Sequence, residues 1–495
     1  MSNEVEEEVR EKASVLGKFK GLVFQGIDAT SKKLFSAETH NALSTICDLV
    51  KNNIKEMNPF DITVGTLYLY VLNLQLLDEV YMEHQGVDTS LMSIKPLELS
   101  PEDIERLYQV TRMVVGVYGI AGLNPKDIED IPLTTTDFTL NVFLNYTKTE
   151  KEEVIEFVSG TTFDPSHLLC LKREMNCIVL VFRGTLSLQD LLTDLVATIE
   201  PVTVFGVEGY CHSGIYESSL RKVTQIESKI SHLHQRYPNY KILIVGHSLG
   251  GGVAVVTSAL FLEKHPDWDL KCIALAPAAA FTREIATCKQ LKNMVVSFVN
   301  NNDIVPRLSL GSFEHYKEMT KIVKRVVGTS SKDILFGSIK QTELPTTIAY
   351  RKIDQYKDVL KVLIAQIETP HPPCLPAGRV VQMITNVAIP LTKIGDFDLE
   401  GWDFRGAYHV DDKKPKWFEV PNECYGRIIP RTTLTIDHIP HSYVRVLLKC
   451  LVNLGGMDID GYEESDDEED LKCKTDEKVL QKDMETQDKT NQFES

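Results

Sequence analysis

Lys241-Ile-Leu-Ile-Val-Gly-His-Ser-Leu-Gly-Gly-Gly252 runs a short apolar stretch into a serine framed by glycines, and the chain then continues through small and apolar residues to Lys264. The apolar run bounded by Gly246 reads as a buried strand, and Leu249 to Lys264 reads as a helix of small residues. Between them lies Gly246-His-Ser-Leu-Gly250, a G-x-S-x-G sequence at a strand-to-helix turn. Such a turn is so tight that small residues are needed on both sides of the serine, and it lifts the hydroxyl above the sheet at a helix N-terminus. A plain glycine-rich helix start is the competing reading, but it leaves the apolar strand before the serine unexplained.

Outward from this point, short β-branched runs alternate with amphipathic segments from Phe157 onward. Leu168 to Leu171, Cys177 to Phe182, Cys272 to Leu275 and Val295 to Val299 read as strands, and Ile215 to Tyr237 as a helix with Leu220, Val223, Ile226, Ile230 and Leu233 on one face. This alternation predicts an α/β protein with a mainly parallel central sheet. Residues 307–375 interrupt the rhythm with helical patterns and read as an insertion. The sheet is expected to resume at Arg379 to Ile384 and near Arg427 to Leu434, before a final helix over Ser442 to Leu454. Upstream, Val15 to about Leu123 has helical periodicity, and Ile62 to Leu77, interrupted by Asn73 and Gln75 and bounded by Asp61 and Asp78, reads as a buried helix. The expected organisation is a helical N-terminal region over 1–150, an α/β domain over 151–457 with the 307–375 insertion, and an acidic disordered tail over 458–495.

Composition narrows the function classes. The 495 residues are 43% hydrophobic and 25% charged, which excludes collagen-like and wholly disordered chains. Of the net charge of −17, ten units come from residues 458–495, where fifteen acids face five bases, so the rest of the chain carries only −7. That surface offers no electrostatic footprint for nucleic acid. Ten cysteines lie scattered with no C-x-x-C pair, and the N-terminus lacks the basic start and apolar run of a signal peptide, which points to a reducing, cytoplasmic setting. No stretch reads as a transmembrane helix, and neither myristoylation nor prenylation is signalled.

A serine hydroxyl is a weak nucleophile at neutral pH. It needs an imidazole base and a carboxylate that holds the imidazole in the right tautomer, and the sheet topology orders the three as serine, acid, histidine. After Ser248, Asp303 stands in Val295-Ser-Phe-Val-Asn-Asn-Asn-Asp-Ile-Val-Pro306, where the C-terminal end of a strand would present it. His438 follows the last candidate strand, in Thr435-Ile-Asp-His-Ile-Pro440, and is favoured over its neighbour His441, which reads as a surface residue at the start of the final helix. The oxyanion of an acyl transfer needs preorganised donors. One is expected from the Leu249 N–H and another from the turn Arg183-Gly184-Thr185, where Thr185 offers both an N–H and a hydroxyl. The chemistry calls for no metal or organic cofactor.

These residues resemble the class 3 lipases, the fungal-type branch of the α/β hydrolases, and within them the diacylglycerol lipase-like members. The blocks that carry the resemblance are Phe-Arg-Gly-Thr-Leu-Ser-Leu-Gln-Asp-Leu-Leu-Thr-Asp-Leu (182–195), Cys-His-Ser-Gly-Ile-Tyr (211–216), the Gly-His-Ser-Leu-Gly-Gly block, Asn-Asp-Ile-Val-Pro (302–306), Pro-Ala-Gly-Arg (376–379) and Asp-His-Ile-Pro (437–440), in the family's order. The resemblance implies the α/β-hydrolase fold, Ser248, Asp303 and His438 as a triad, Thr185 and Leu249 as oxyanion donors, and Asp194 as the carboxylate that steadies the Thr185 hydroxyl. It also implies a serine hydrolase of glycerolipid esters, with diacylglycerol as the favoured substrate, met at a membrane or lipid-droplet surface. The alternatives are a phospholipase A1 or general carboxylesterase, and a catalytically idle scaffold that binds lipid or protein. The chain departs from animal diacylglycerol lipases in lacking a transmembrane bundle before the catalytic domain, and its insertion is more helical. The oligomeric state is left open.

Two further segments bear on lipid access. Leu188, Leu191, Leu192 and Leu195 recur at helical spacing after the oxyanion turn, as either an amphipathic cover over an acyl pocket or an ordinary core helix. Residues 15–33 set Val15, Leu16, Phe19, Leu22, Val23 and Ile27 on one face beside Lys18, Lys20, Lys32 and Lys33, as either a peripheral membrane contact or a face packed on the catalytic domain.

Overall fold

The computed structural model of the chain describes residues 65–72, 95–123, 138–160, 164–185, 195, 198–328, 345–384, 415–430 and 434–454. Thirteen strands are found among them: β1 (Lys95–Pro96), β2 (Val154–Val158), β3 (His167–Lys172), β4 (Cys177–Phe182), β5 (Ile199–Val204), β6 (Val207–His212), β7 (Lys241–His247), β8 (Leu270–Leu275), β9 (Phe281–Thr282), β10 (Val295–Asn300), β11 (Cys374–Leu375), β12 (Arg379–Ile384) and β13 (Lys416–Val420). Nine form one sheet in the order β1-β13-β12-β10-β8-β7-β4-β3-β2. Its centre, β12-β10-β8-β7-β4, is parallel throughout, and antiparallel pairs close both edges. This is an α/β-hydrolase sheet, with Ser248 following its strand β7.

The apolar runs of the central strands are continuous because both faces of the sheet are covered. Successive side chains alternate between the faces: Ile178, Leu180, Phe182, Ile242 and Ile244 join one core, while Val179, Val181, Leu243 and Val245 join the other. The first core lies under the helices Ser213–Arg236 and Leu249–Lys264. The second lies under Pro101–Gly116 and Pro440–Asn453. Pro101–Gly116 starts as its sequence directs, with Ser100 accepting the Asp103 N–H at 3.1 Å, Pro101 at the first turn and Glu102 and Asp103 at the positive end.

Within 307–375 the described residues hold two helices, Leu310–Val327 and Pro345–Ala365. The first carries a capping box, in which the Ser309 hydroxyl accepts the Ser312 N–H and the Ser312 hydroxyl accepts the Ser309 N–H at 2.9 Å. Phe313, Tyr316, Val323, Ile353 and Leu360 belong to the same core as the sheet, so this insertion is built into the domain. Residues 65–72, within the expected Ile62 to Leu77 helix, are helical and buried, and they dock there through a 2.9 Å hydrogen bond from the Tyr316 hydroxyl to Thr66 Oγ1.

The strand expected near Arg427 to Leu434 is not found at residues 427–430. β13 lies earlier, at Lys416–Val420, and takes the position beside β12. After Pro421 a short 3-10 turn over Asn422–Tyr425 redirects the chain, and Pro430 has no N–H for a ladder. A second, four-stranded sheet, β11-β9-β6-β5, is not anticipated by the sequence pattern, and its Val204, Cys211, Phe281 and Leu375 join the first core.

Candidate active site

The turn after β7 is forced by its neighbours. Ser248 has φ 61° and ψ −128°, a region costly for any residue with a Cβ, at about 1–3 kcal/mol. The strain is held by four backbone hydrogen bonds: Ser248 N–H donates to Leu275 O at 3.0 Å, and Ser248 O accepts from Gly251, Gly252 and Ala278 at 3.0, 3.1 and 2.9 Å. The flanking glycines are steric requirements. A Cβ on Gly246 would run into the Gly250 carbonyl, and one on Gly250 would lie 2.6 Å from Phe182 O and 2.7 Å from Arg183 C. The helix Leu249–Lys264 therefore starts hard against the end of β4, with Leu249 as its first residue.

Three side chains from three distant segments meet above this turn. Ser248 Oγ lies 2.9 Å from His438 Nε2, and His438 Nδ1 lies 2.9 and 3.0 Å from the two oxygens of Asp303. Asp303 is fully buried, Ser248 is 1% exposed and His438 6%. An imidazole whose Nδ1–H is held by a carboxylate turns its Nε2 lone pair toward the serine proton, the arrangement that makes a hydroxyl nucleophilic. The acid is itself held: Asp303 accepts the Val305 N–H at 2.9 Å and the Tyr443 hydroxyl at 2.8 Å. Tyr443 in turn accepts the Asn300 N–H at 2.9 Å, and burial with the nearby carboxylate pushes its phenol far above the ordinary range, so it stays a donor.

A second carboxylate clamps the two loops together. Asp437 accepts the Asn302 N–H at 3.0 Å and the Asn301 side-chain amide at 3.2 Å, and its carbonyl accepts from Asn300 Nδ2 at 3.3 Å. The base loop is thus tied to the acid loop by the residue next to the base. Sequence reading missed both Asp437 and Tyr443. Asp437 lies within the quoted Asp-His-Ile-Pro block, while Tyr443 carries no local signal, because its partner is 140 residues away.

His441, the rival, sits half-buried in the first turn of Pro440–Asn453, and only His438 reaches Ser248. Leu249 directly follows the nucleophile as a first helical residue, whose N–H has no intrahelical acceptor, and Thr185 is half-buried one residue beyond Gly184, where an added Cβ would lie 2.9 Å from Ser248 Cβ. Asp194 lies outside the described residues, as do residues 1–33, residues 458–495 and Leu188, Leu191 and Leu192. Leu195 is described and buried. Among the described residues no cluster suited to a metal ion is found, and no helix is long and apolar enough to cross a membrane.

The family model for Lipase (class 3) matches residues 179–313, a span that holds Ser248 and Asp303. Over that span the chain is similar to the class 3 lipases. Its curated relatives include human diacylglycerol lipase-alpha, 24% identical over 330 residues that cover 63% of this chain and 30% of that protein. Mouse diacylglycerol lipase-beta is 28% identical over 170 residues, covering 33% and 24%, and the Rhizomucor miehei lipase is 29% identical over 109 residues, covering 22% and 30%. The chain thus spans about a third of the length of the curated relatives it matches. Among solved structures, the native Rhizomucor miehei lipase propeptide complex aligns with 47% of this chain and 76% of its own at 20% identity and a TM-score of 0.35. The lipase domain match ends before the insertion helices do, and His438 lies beyond it.

Proposed function

We propose that the chain is a serine lipase that hydrolyses acyl esters of glycerolipids, diacylglycerol foremost, with Ser248 as nucleophile, His438 as base and Asp303 as its orienting acid. The observation that carries the reading is the continuous hydrogen-bonded line from Ser248 through His438 to Asp303. Ser248 Oγ attacks the ester carbonyl as His438 takes its proton. The oxyanion is met by the Leu249 N–H and by Thr185. The proton passes to the leaving alcohol, the acyl-serine remains, and water activated by His438 releases the fatty acid. Asp194 is assigned the support of the Thr185 hydroxyl by family resemblance. The choice of diacylglycerol is supported by the names of the relatives.

Two experiments test this. A fluorophosphonate probe should label wild-type protein at Ser248, lose labelling in Ser248→Ala and His438→Ala, and retain it in His441→Ala. Absence of wild-type labelling in folded protein would favour the idle scaffold. Hydrolysis of a lipid panel by purified protein should release fatty acid fastest from dispersed diacylglycerol, with a rise in rate once substrate aggregates. Faster release from a phospholipid or from a soluble short-chain ester would replace diacylglycerol by phospholipase A1 or general esterase activity.

A further inference from the structure

We infer that His247, the residue before the nucleophile, is a positioning residue that, through Tyr118, holds the oxyanion turn and the loop of the base in one register. The inference rests on the hydrolase reading and adds a part to that site. His247 ends β7 and is fully enclosed. Its Nδ1 lies 2.9 Å from the Tyr118 hydroxyl, and its Nε2 lies 2.9 Å from the backbone carbonyl of His438. The Tyr118 hydroxyl also accepts the Gly184 N–H at 2.9 Å.

Proton counting fixes the direction of the line. A carbonyl only accepts, so the His247 proton sits on Nε2 and is donated to His438 O. Nδ1 is then an acceptor, and it takes the one proton of Tyr118, whose oxygen receives the Gly184 N–H. Gly184 N–H, Tyr118, His247 and the His438 carbonyl thus form one polarised chain across the floor of the site. It joins the residue before Thr185 to the base itself. Burial, with His438 alongside, holds His247 well below the ordinary histidine range, so it stays neutral and keeps this tautomer. The ring is also wedged in place, with centroids 4.7 Å from His438, 5.7 Å from Tyr118 and 5.8 Å from Tyr443. Gly184 is required for the approach: a Cβ there would collide with the Tyr118 hydroxyl and lie 2.6 Å from His247 O.

The consequence is geometric. An error of about 1 Å in a reacting group costs on the order of a hundredfold in rate, and this line sets both the donor that meets the oxyanion and the base that takes the proton. Tyr118→Phe, which keeps the ring, should lower kcat on a soluble short-chain ester about tenfold with KM within about twofold. His247→Leu should lower kcat, and the rate of Ser248 labelling by a fluorophosphonate, about a hundredfold. His247→Gln, whose amide can still donate to the His438 carbonyl, should recover most of that loss. A packing role predicts the reverse order, because leucine is better tolerated than glutamine in a buried site, so kcat for His247→Leu equal to or above that of His247→Gln overturns the inference. Nitrogen-15 NMR of the wild-type imidazoles supplies a readout independent of turnover: His247 should carry its proton on Nε2 and remain neutral at pH 5, and a proton on Nδ1 or titration at an ordinary histidine pKa overturns the inference as well. Correct His247 tautomer in a protein that fails to label or hydrolyse would instead sink the hydrolase reading.

Discussion

Ser248 occupies a backbone conformation that its own side chain disfavours, and the cost separates function from stability at one residue. Ser248→Ala should abolish turnover with little change in stability, because alanine keeps the same strain. Ser248→Gly should also be inactive, yet more stable than the alanine variant by about 1 kcal/mol, the relieved strain less the greater freedom of glycine in the unfolded chain. Urea denaturation of the two variants makes the comparison, and equal midpoints would mean that the turn is not strained. Tyr443 is the second test at this scale. Tyr443→Phe removes one bond to Asp303 and leaves the Asn300 N–H without its partner, so stability should fall by about 1–3 kcal/mol and kcat by about tenfold. Ser248, Asp303 and His438 could be named from the sequence because each sits in a local pattern at a strand end. Tyr118, His247 and Tyr443 could not be given roles, since what matters about them is the partner each meets across the fold.

At the scale of the element, the strand-turn-helix from Lys241 to Lys264 is the best-determined piece. Gly250→Ala would drive a methyl into the backbone at the end of β4, and backbone there has nowhere to go. A loss of roughly 3 kcal/mol or more is expected from this overpacking, measured by chemical denaturation. The helix Leu249–Lys264 and the strands β4 and β12 carry the same boundaries in sequence and structure, because an unbroken apolar run between breakers leaves little choice. The hairpin β5-β6 escaped detection for the opposite reason. Its strands contain Pro201 and Gly209 and are only partly buried, and its turn, Phe205-Gly206, has φ of 53° and 74° with a phenylalanine where asparagine or aspartate would advertise the bend. The sequence points to a strand near Arg427 because Ile428 is buried like a strand residue, whereas the place beside β12 is already taken by β13.

For the molecule as a whole, buried neutral histidines set the response to acid. Burial, aided by the Lys222 ammonium, holds His167 down to about 4, burial holds His315 to about 4, and His247 lies well below its ordinary value. A histidine of this kind costs nothing while both states are neutral, and it destabilises the fold as pH falls below about 6.5, where the unfolded chain takes up a proton that the folded one refuses. Stability should therefore be full near pH 7.5 and fall progressively between about pH 6.5 and 4. For His167 alone the loss at pH 5 is roughly 2 kcal/mol. Urea midpoints at pH 7.5 and 5 that coincide would show that these rings are protonated in the fold. The clamp at Asp437 has a consequence of another kind. It staples the chain just after β10 to the chain just before the final helix, so the covalent path between Asp303 and His438 is not what holds them together. The protein should behave as a two-piece tool: a single cut made after the exposed Gly328, leaving fragments 1–328 and 329–495, ought to yield halves that stay paired along β10 and β12 and still label at Ser248.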